Sequence, residues 1–156
     1  MTLTNVYQKL KSLGGLFATL GITLDTAESA PLTRMTITSA MQGGPGVAHG
    51  GAVMALLDTA LGMQALDVAL KRGCATSTVE MKVNFLRPAP VGSQLYTQTE
   101  VQSEGKSLLV VTGTAFDQAS DRAVAFAVGT FNVYKPNRRT NEHPMPDAEP
   151  VASPVE

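Results

Sequence analysis

The chain has 156 residues, of which 44% are hydrophobic and 16% are charged, so it can form one folded domain with few surface charges. Its net charge of −1 disfavours nucleic acids and anionic membranes as partners, and no apolar run reaches the ~18 residues of a membrane span. The single cysteine, Cys74, excludes an intramolecular disulfide and a thiolate-rich metal site. These features predict a cytoplasmic protein whose surface is partly covered by another subunit.

The amino-terminal part of the chain is predicted to hold one short amphipathic helix and two strands. The helix is ended by one of the glycines at positions 14, 15 and 21, and its apolar residues fall at helical spacing. These residues are Val6, Leu10, Leu13 and Phe17. Segments 21–28 and 32–39 alternate and carry β-branched residues, which predicts two paired strands with a turn at Ala30 and Pro31.

A glycine-rich segment and one long helix follow. Residues 41–51 contain so many glycines, with one proline, that no regular element is expected there. Residues 50–72 are rich in Ala, Leu and Met and free of proline, which predicts a long helix that ends at Gly73. Its first turns are apolar nearly all the way round, as is typical of a helix that is buried on more than one side.

The rest of the chain predicts strands and a tail. Short turns join successive strands, which favours an antiparallel sheet. The predicted strands are residues 75–86, 94–102, 107–117 and 122–134. Residues 135–156 hold five of the nine prolines and cannot bury a core, so we expect a mobile tail behind a domain of residues 1–134.

Common catalytic and cofactor motifs are missing from the sequence. The segment GGPGVAHGG lacks the Gly-Lys-Ser/Thr ending of a phosphate-binding loop and the glycine spacing of a dinucleotide site, and no G-x-S-x-G nucleophile elbow occurs. The two histidines, His49 and His143, are far apart, and the second lies in the predicted tail. Neither a metal site nor a cofactor is therefore expected.

One acid and two glycines at the start of the long helix are the candidates for chemistry. Asp58 is the only ionisable side chain between residues 50 and 66, in a helix predicted to be buried. Gly50 and Gly51 fall at the helix amino terminus, where unpaired N–H groups and the positive end of the dipole can hold a developing oxyanion. The alternatives are that Asp58 only caps or salt-bridges a neighbour and that the glycines only bend the chain.

The helical wheel suggests that the acid and the glycine act in different subunits. A stripe of small residues interrupted only by Asp58 falls within roughly 40° of one line. Its members are Gly51, Ala55, Asp58, Gly62, Ala65 and Ala69. Gly51 and Asp58 are about 10 Å apart along the helix, too far to act on one bond, whereas two antiparallel helices about a twofold axis would bring them together. Packing of the stripe against the chain's own sheet is the alternative.

At these residues the chain resembles the hotdog-fold acyl-CoA thioesterases of the phenylacetic-acid-degradation (PaaI-like) type. The resemblance covers about residues 7–134 and is carried by HGG at 49–51, by an acid nine residues after the histidine, and by TVEMKVNFLRPAPVG at 78–92. It implies an α+β hotdog fold, with an antiparallel sheet wrapped around one long helix. It also implies homodimers that often pair into tetramers, and hydrolysis of an acyl-CoA substrate without a metal or other cofactor.

The resemblance also implies roles for individual residues. The N–H of Gly51 would polarise the thioester carbonyl, Asp58 of the other subunit would act as nucleophile or general base, and Thr78 would help to place the acid or the water. Loss of a hydrogen-bond donor to the oxyanion typically raises the activation barrier of an enzyme by about 3 to 4 kcal/mol. His49 would hydrogen-bond the loop or the ligand. The residues expected to bind substrate are Gly50, Leu57, Leu61, Phe85 and Arg87.

The family also has an Asn or Gln before the HGG that orients the thioester. The family spacing falls on Gly43, so Gln42 fills this position only if the glycine loop carries one extra residue. Two other functions stay open on the same fold. One is a non-catalytic acyl-CoA sensor or carrier, and the other is an enoyl-CoA hydratase, which needs a histidine and an acid at one site.

Overall fold

The computed structural model describes residues 2–26 and 31–136, and the statements below concern these residues. The helices are α1 Leu3–Ser12, α2 Gly15–Thr19 and α3 Gly50–Leu70. The strands are β1 Thr23–Asp25, β2 Leu32–Thr36, β3 Gln42–Gly44, β4 Val47–Ala48, β5 Ala75–Phe85, β6 Gln94–Glu104, β7 Leu108–Asp117 and β8 Arg122–Tyr134. Most of the predicted tail and Ala30 of the predicted turn lie outside the described residues.

Two short helices replace the single one predicted at the amino terminus. Thr2 caps α1, because its hydroxyl accepts a hydrogen bond from the Asn5 N–H at 3.3 Å. The chain then turns at Gly14, whose φ of +72° is accessible to glycine at little cost, and Phe17 consequently falls on α2. The Tyr7 and Phe17 rings, 6.2 Å apart between centroids, join the two helices.

The predicted antiparallel sheet is confirmed. Six strands hydrogen-bond in the order β1-β2-β6-β7-β8-β5, and every pairing is antiparallel. β5 therefore lies at one edge, although it precedes β6 in the chain. Its 11 residues pair with β8 on one side only, and no described strand covers the other side. A long edge strand of this kind is open to pairing with another chain.

The long helix is confirmed as the centre of the fold. α3 ends at Leu70, just before Gly73 at φ +66°, and packs against β5, β6, β7 and β8. A second cluster covers the carboxyl-terminal half of α3 from the other side, where Leu3 and Tyr7 of α1 pack with Leu24 and Met63. Although α3 is long and apolar enough to cross a membrane, it is the core helix here, and half of its most apolar window is buried.

The expectation that residues 41–51 hold no regular element is wrong. β3 and β4 form a short hairpin whose turn is Pro45 and Gly46, and Gly46 has the positive φ of +73° that a type II turn requires. The Gln42 side-chain oxygen also accepts a hydrogen bond from the Gly46 N–H at 2.9 Å. The glycines therefore allow a tight hairpin here instead of preventing structure.

Leu61 is the residue that joins α3 to the middle of the sheet. It is fully buried, and a Cβ on Gly113 of β7 would lie 2.5 Å from its Cδ1. A Cβ on Gly129 of β8 would lie 3.1 Å from its Cδ2. The two glycines thus leave a hole in the sheet that the Leu61 side chain fills.

Leu61→Ala is expected to lower the free energy of unfolding by about 2–5 kcal/mol, because it removes fully buried apolar groups and leaves a cavity between α3 and the sheet. Urea denaturation at a fixed protein concentration measures the change. Leu13→Ala is the matched control, since Leu13 is 55% exposed, and it should cost less than about 0.5 kcal/mol. Equal stability of the two variants would contradict this packing.

Candidate active site

The structure brings Asp58 and Thr78 of one chain into contact, the two residues that the family resemblance associates with each other. α3 and β5 run side by side in opposite directions, with Gly50 beside Phe85 and Asp58 beside Thr78. The Thr78 hydroxyl donates a hydrogen bond to Asp58 Oδ1 at 3.1 Å. Both side chains are exposed in the single chain, so this face of α3 is open, contrary to the burial expected for Asp58.

A β-bulge sets the direction of Thr78. In the pairing of β5 with β8, Thr78 lies opposite Phe131 and Glu80 lies opposite Thr130, so Val79 is the extra residue. Phe131 belongs to the core, which places Thr78 on the side of the strand that faces α3. Bulges are common beside active sites because they redirect a side chain. Val79 itself points away and is 61% exposed.

The start of α3 differs from the prediction in one hydrogen bond. His49 is the N-cap, and its Nδ1 accepts a hydrogen bond from the Gly51 N–H at 2.9 Å. The N–H that was predicted to hold the oxyanion is therefore occupied. Ala52 donates to the His49 carbonyl at 3.0 Å, whereas no described atom accepts a hydrogen bond from the Gly50 N–H. The free donor at this helix end is Gly50.

The sequence-based prediction treated the N–H groups of both glycines as unpaired, whereas the Gly51 N–H is bonded to His49 in the structure. The sequence feature that distinguishes the two glycines is the histidine directly before them. A side-chain acceptor at an N-cap takes the N–H of the second or third helical residue, and this leaves the first N–H free. In α3 the second helical residue is Gly51 and the first is Gly50.

Gln42 lies at the start of β3, directly before a bulge at Gly43 in the pairing of β3 with β4. Gly43 itself has no room for a side chain, because a Cβ there would lie 2.7 Å from the His49 Cα. Gln42 Nε2 donates to the Ser39 carbonyl at 3.2 Å, which engages one of its two amide hydrogens.

Two depressions meet at the start of α3. The first, here called the α2-side depression, measures about 490 Å³ and includes Leu16, Gln42, His49 and Gly51. The second, the Phe85-side depression, measures about 380 Å³ and includes three of the predicted substrate-binding residues. These are Gly50, Phe85 and Arg87. Both volumes fall within the range of small-molecule sites.

The other two predicted substrate-binding residues lie elsewhere. Leu57 and Leu61 are fully buried in the core and line neither depression, so a ligand at the start of α3 would not touch them. Their positions on α3 turn them toward the sheet. Arg87 already makes a hydrogen bond within the chain, since its Nη1 donates to the Ala123 carbonyl at 2.8 Å.

Gly50 and Asp58 of one chain are too far apart to act on the same bond of a substrate. Asp58 lies eight residues after Gly50, which is about 12 Å along a helix. Among residues 2–26 and 31–136, no group of three His, Cys, Asp or Glu side chains could hold a metal ion. The chemistry that these residues can offer is therefore one carboxylate, one hydroxyl and one free N–H at a helix start.

Comparisons with known proteins identify the class of protein that has this fold and these site residues. A six-stranded antiparallel sheet wrapped around one long helix is the hotdog fold. The sequence pattern of the thioesterase superfamily matches residues 45–124, more than half of the chain and the part that holds Gly50, Asp58 and Thr78. The chain belongs to the thioesterase superfamily and is a thioester hydrolase. No curated protein matches the sequence.

Solved structures agree with this assignment. The PaaI protein of E. coli, from the phenylacetic acid degradation operon, has a TM-score of 0.74 and 24% identity, and the match covers 83% of this chain and 91% of that one. A thioesterase family protein of Silicibacter pomeroyi has a TM-score of 0.71, 30% identity and coverage of 85% and 98%. Zebrafish thioesterase superfamily member 2 has a TM-score of 0.72, 20% identity and coverage of 85% and 99%. The first and third support the fold alone.

The N-cap role of His49 can be separated from a chemical role. His49→Ala leaves the Gly51 N–H without its acceptor and is expected to lower the free energy of unfolding by about 0.5–2 kcal/mol. His49→Asn restores a side-chain acceptor at the N-cap and should stay within about 0.5 kcal/mol of the unaltered protein. Urea denaturation measures both variants, and equal losses in the two would contradict the capping role.

Proposed function

We propose that the protein hydrolyses acyl-CoA thioesters at two equivalent sites in a homodimer. Each site combines the Gly50 N–H of one subunit with Asp58 and Thr78 of the other. The observation that carries the proposal is the open face of α3, which bears a free N–H at its start and a hydroxyl-bonded carboxylate about 12 Å further along. A second copy related by a twofold axis brings the two groups to one bond.

The proposed reaction needs no group beyond these residues and water. The thioester carbonyl oxygen accepts a hydrogen bond from the Gly50 N–H, where the helix dipole also stabilises the negative charge that develops. The Thr78 hydroxyl holds Asp58 Oδ1, so Oδ2 is available to take a proton from water or to attack the carbonyl carbon. Attack by the water oxygen or by Oδ2 forms a new carbon–oxygen bond, and collapse of the tetrahedral intermediate breaks the carbon–sulfur bond, so that CoA leaves as a thiolate and is protonated. In the route through Oδ2, water then hydrolyses the acyl–Asp58 anhydride and regenerates the carboxylate. Gln42 and His49 orient the thioester and the loop.

The face expected to meet the second copy is apolar and unpaired. It combines the free edge of β5 with exposed side chains, including Met54 at 38%, Val79 at 61% and Phe85 at 53%. Met54 is midway between Gly50 and Asp58 on α3. A twofold axis near Met54 and the middle of β5 therefore places Gly50 of each subunit opposite Asp58 of the other. Pairing of dimers into tetramers and a cytoplasmic location, which the lone cysteine favours, are further parts of the proposal.

Two substitutions test the roles of the amide and the acid. Gly50→Pro removes the N–H and keeps the helix start, because proline is well accepted at the first helical position and His49 before it is already extended, with φ −64° and ψ 138°. Its kcat should fall by about 10²–10³, as for loss of an oxyanion donor. Asp58→Asn should lose about 10²–10⁴. Release of CoA from a panel of acyl-CoAs measures both.

Gly50→Ala is the matched control for the proline variant. It keeps the N–H and adds a Cβ in the same place, 3.1 Å from the Phe85 Cζ. It should therefore retain much more activity than Gly50→Pro. Equal losses in the two variants would mean that crowding against Phe85, and not the N–H, is what the substitution disturbs. Tight binding of acyl-CoA without release of CoA would favour the sensor alternative.

Mixing the two inactive variants tests whether the site is shared between subunits. A mixed dimer of Asp58→Asn and Gly50→Pro chains has one site with both defects and one site with both native groups. Random exchange of subunits should therefore restore about a quarter of the native activity, since half of the dimers are mixed and each has one working site. Mixing that restores no activity, with exchange verified by mass spectrometry of the native dimers, would contradict the shared site.

A further inference from the structure

The α2-side depression differs from the Phe85-side depression in the chemistry of its lining. Most of its residues are apolar, its floor is the small residues Gly51, Ala52 and Ala55, and Leu16 and Leu20 stand over that floor. None of its lining residues is Lys, Arg, Asp or Glu. The Phe85-side depression holds Arg87, a cation suited to the phosphates of CoA. Gly50 lines the Phe85-side depression, and its neighbour Gly51 lines the α2-side depression.

The position of Leu16 is not explained by the core. Its side chain is 62% exposed, and no residue of α2 is fully buried. A helix of five residues is too short to be stable by itself, so its placement depends on its surroundings. Phe17 anchors it against Tyr7 and the main core, and glycines with φ +72°, +65° and +60° set the chain direction at positions 14, 15 and 21. The chain thus holds an apolar side chain over the site without burying it.

We propose that α2 selects the acyl group of the substrate. Leu16 and Leu20 form the apolar wall of the pocket that receives it, while the CoA part leaves along the Phe85-side depression. This inference rests on the proposed function. The substrates it specifies are thioesters of neutral, apolar acyl groups that are long enough to reach α2, aliphatic or aromatic. Acyl groups that end in a carboxylate are disfavoured, because no cation lines this depression to pair with them.

The experiment compares acyl-CoAs of different length and charge in two matched variants. Leu16→Ala should lower kcat/KM for octanoyl-CoA by about 5- to 30-fold and change acetyl-CoA less than about twofold, since only the longer chain loses apolar contact. Leu13→Ala should change neither value. Leu13 is similarly exposed, at 55%, and does not line the depression. In the unaltered protein, octanoyl-CoA should be a better substrate than succinyl-CoA.

Binding of S-alkyl-CoA thioethers, which cannot be hydrolysed, separates this inference from the proposed function. The unaltered protein should bind the S-octyl compound more tightly than the S-methyl compound by calorimetry. Leu16→Ala should lose this preference, and Leu13→Ala should keep it. Failure to release CoA from any acyl-CoA would contradict the hydrolysis, while the thioether result would still decide the role of α2. The inference is overturned if Leu16→Ala affects short and long chains equally or leaves both unchanged.

Discussion

The constraint on which the structure depends is that α3 is apolar on nearly every side and must be covered on each of them. The sheet covers one side along the whole helix. The cluster of α1 residues with Leu24 and Met63 covers a second side, but only over the carboxyl-terminal half of the helix. The amino-terminal half keeps an open face that bears Gly51, Met54 and Asp58. This uncovered half is the part of α3 on which the proposed dimer contact is based.

The candidate site consists of the polar groups that lie on and beside this open face of α3. A carboxylate such as Asp58 is tolerated there because it is exposed in the single chain and bonded to the Thr78 hydroxyl. The bulge at Val79 lets Thr78 face the helix while the rest of β5 keeps its pairing with β8. The free N–H of Gly50 has the same origin, since a helix start always leaves donors and the His49 cap takes only one of them. The proposed chemistry and the proposed subunit contact thus share one surface.

The sequence was sufficient for the features that depend on periodicity. The bounds of α3 and of β5 to β8 were predicted within a few residues, because helical and alternating patterns extend over many positions there. Features decided by a single contact were not predicted. Periodicity does not reveal that Leu61 fills the space above Gly113, and glycine content alone does not distinguish a disordered loop from the β3–β4 hairpin. The shift from Gly51 to Gly50 depended on the His49 side chain alone.

The sequence allowed two interpretations of the stripe of small residues on α3, namely packing against the chain's own sheet and packing against the helix of a second subunit. The two do not exclude each other. Ala65 and Ala69 are fully buried in the core, as packing against the chain's own sheet requires, whereas Gly51 and Asp58 are exposed. The sheet therefore covers the carboxyl-terminal half of the stripe and leaves Gly51 and Asp58 of the other half exposed in the single chain. Because only this half is open, two such helices can meet only over about the first three turns of each. In the proposed dimer, an antiparallel contact of that length would have its centre near Met54 and would place each Asp58 opposite the other subunit's helix start.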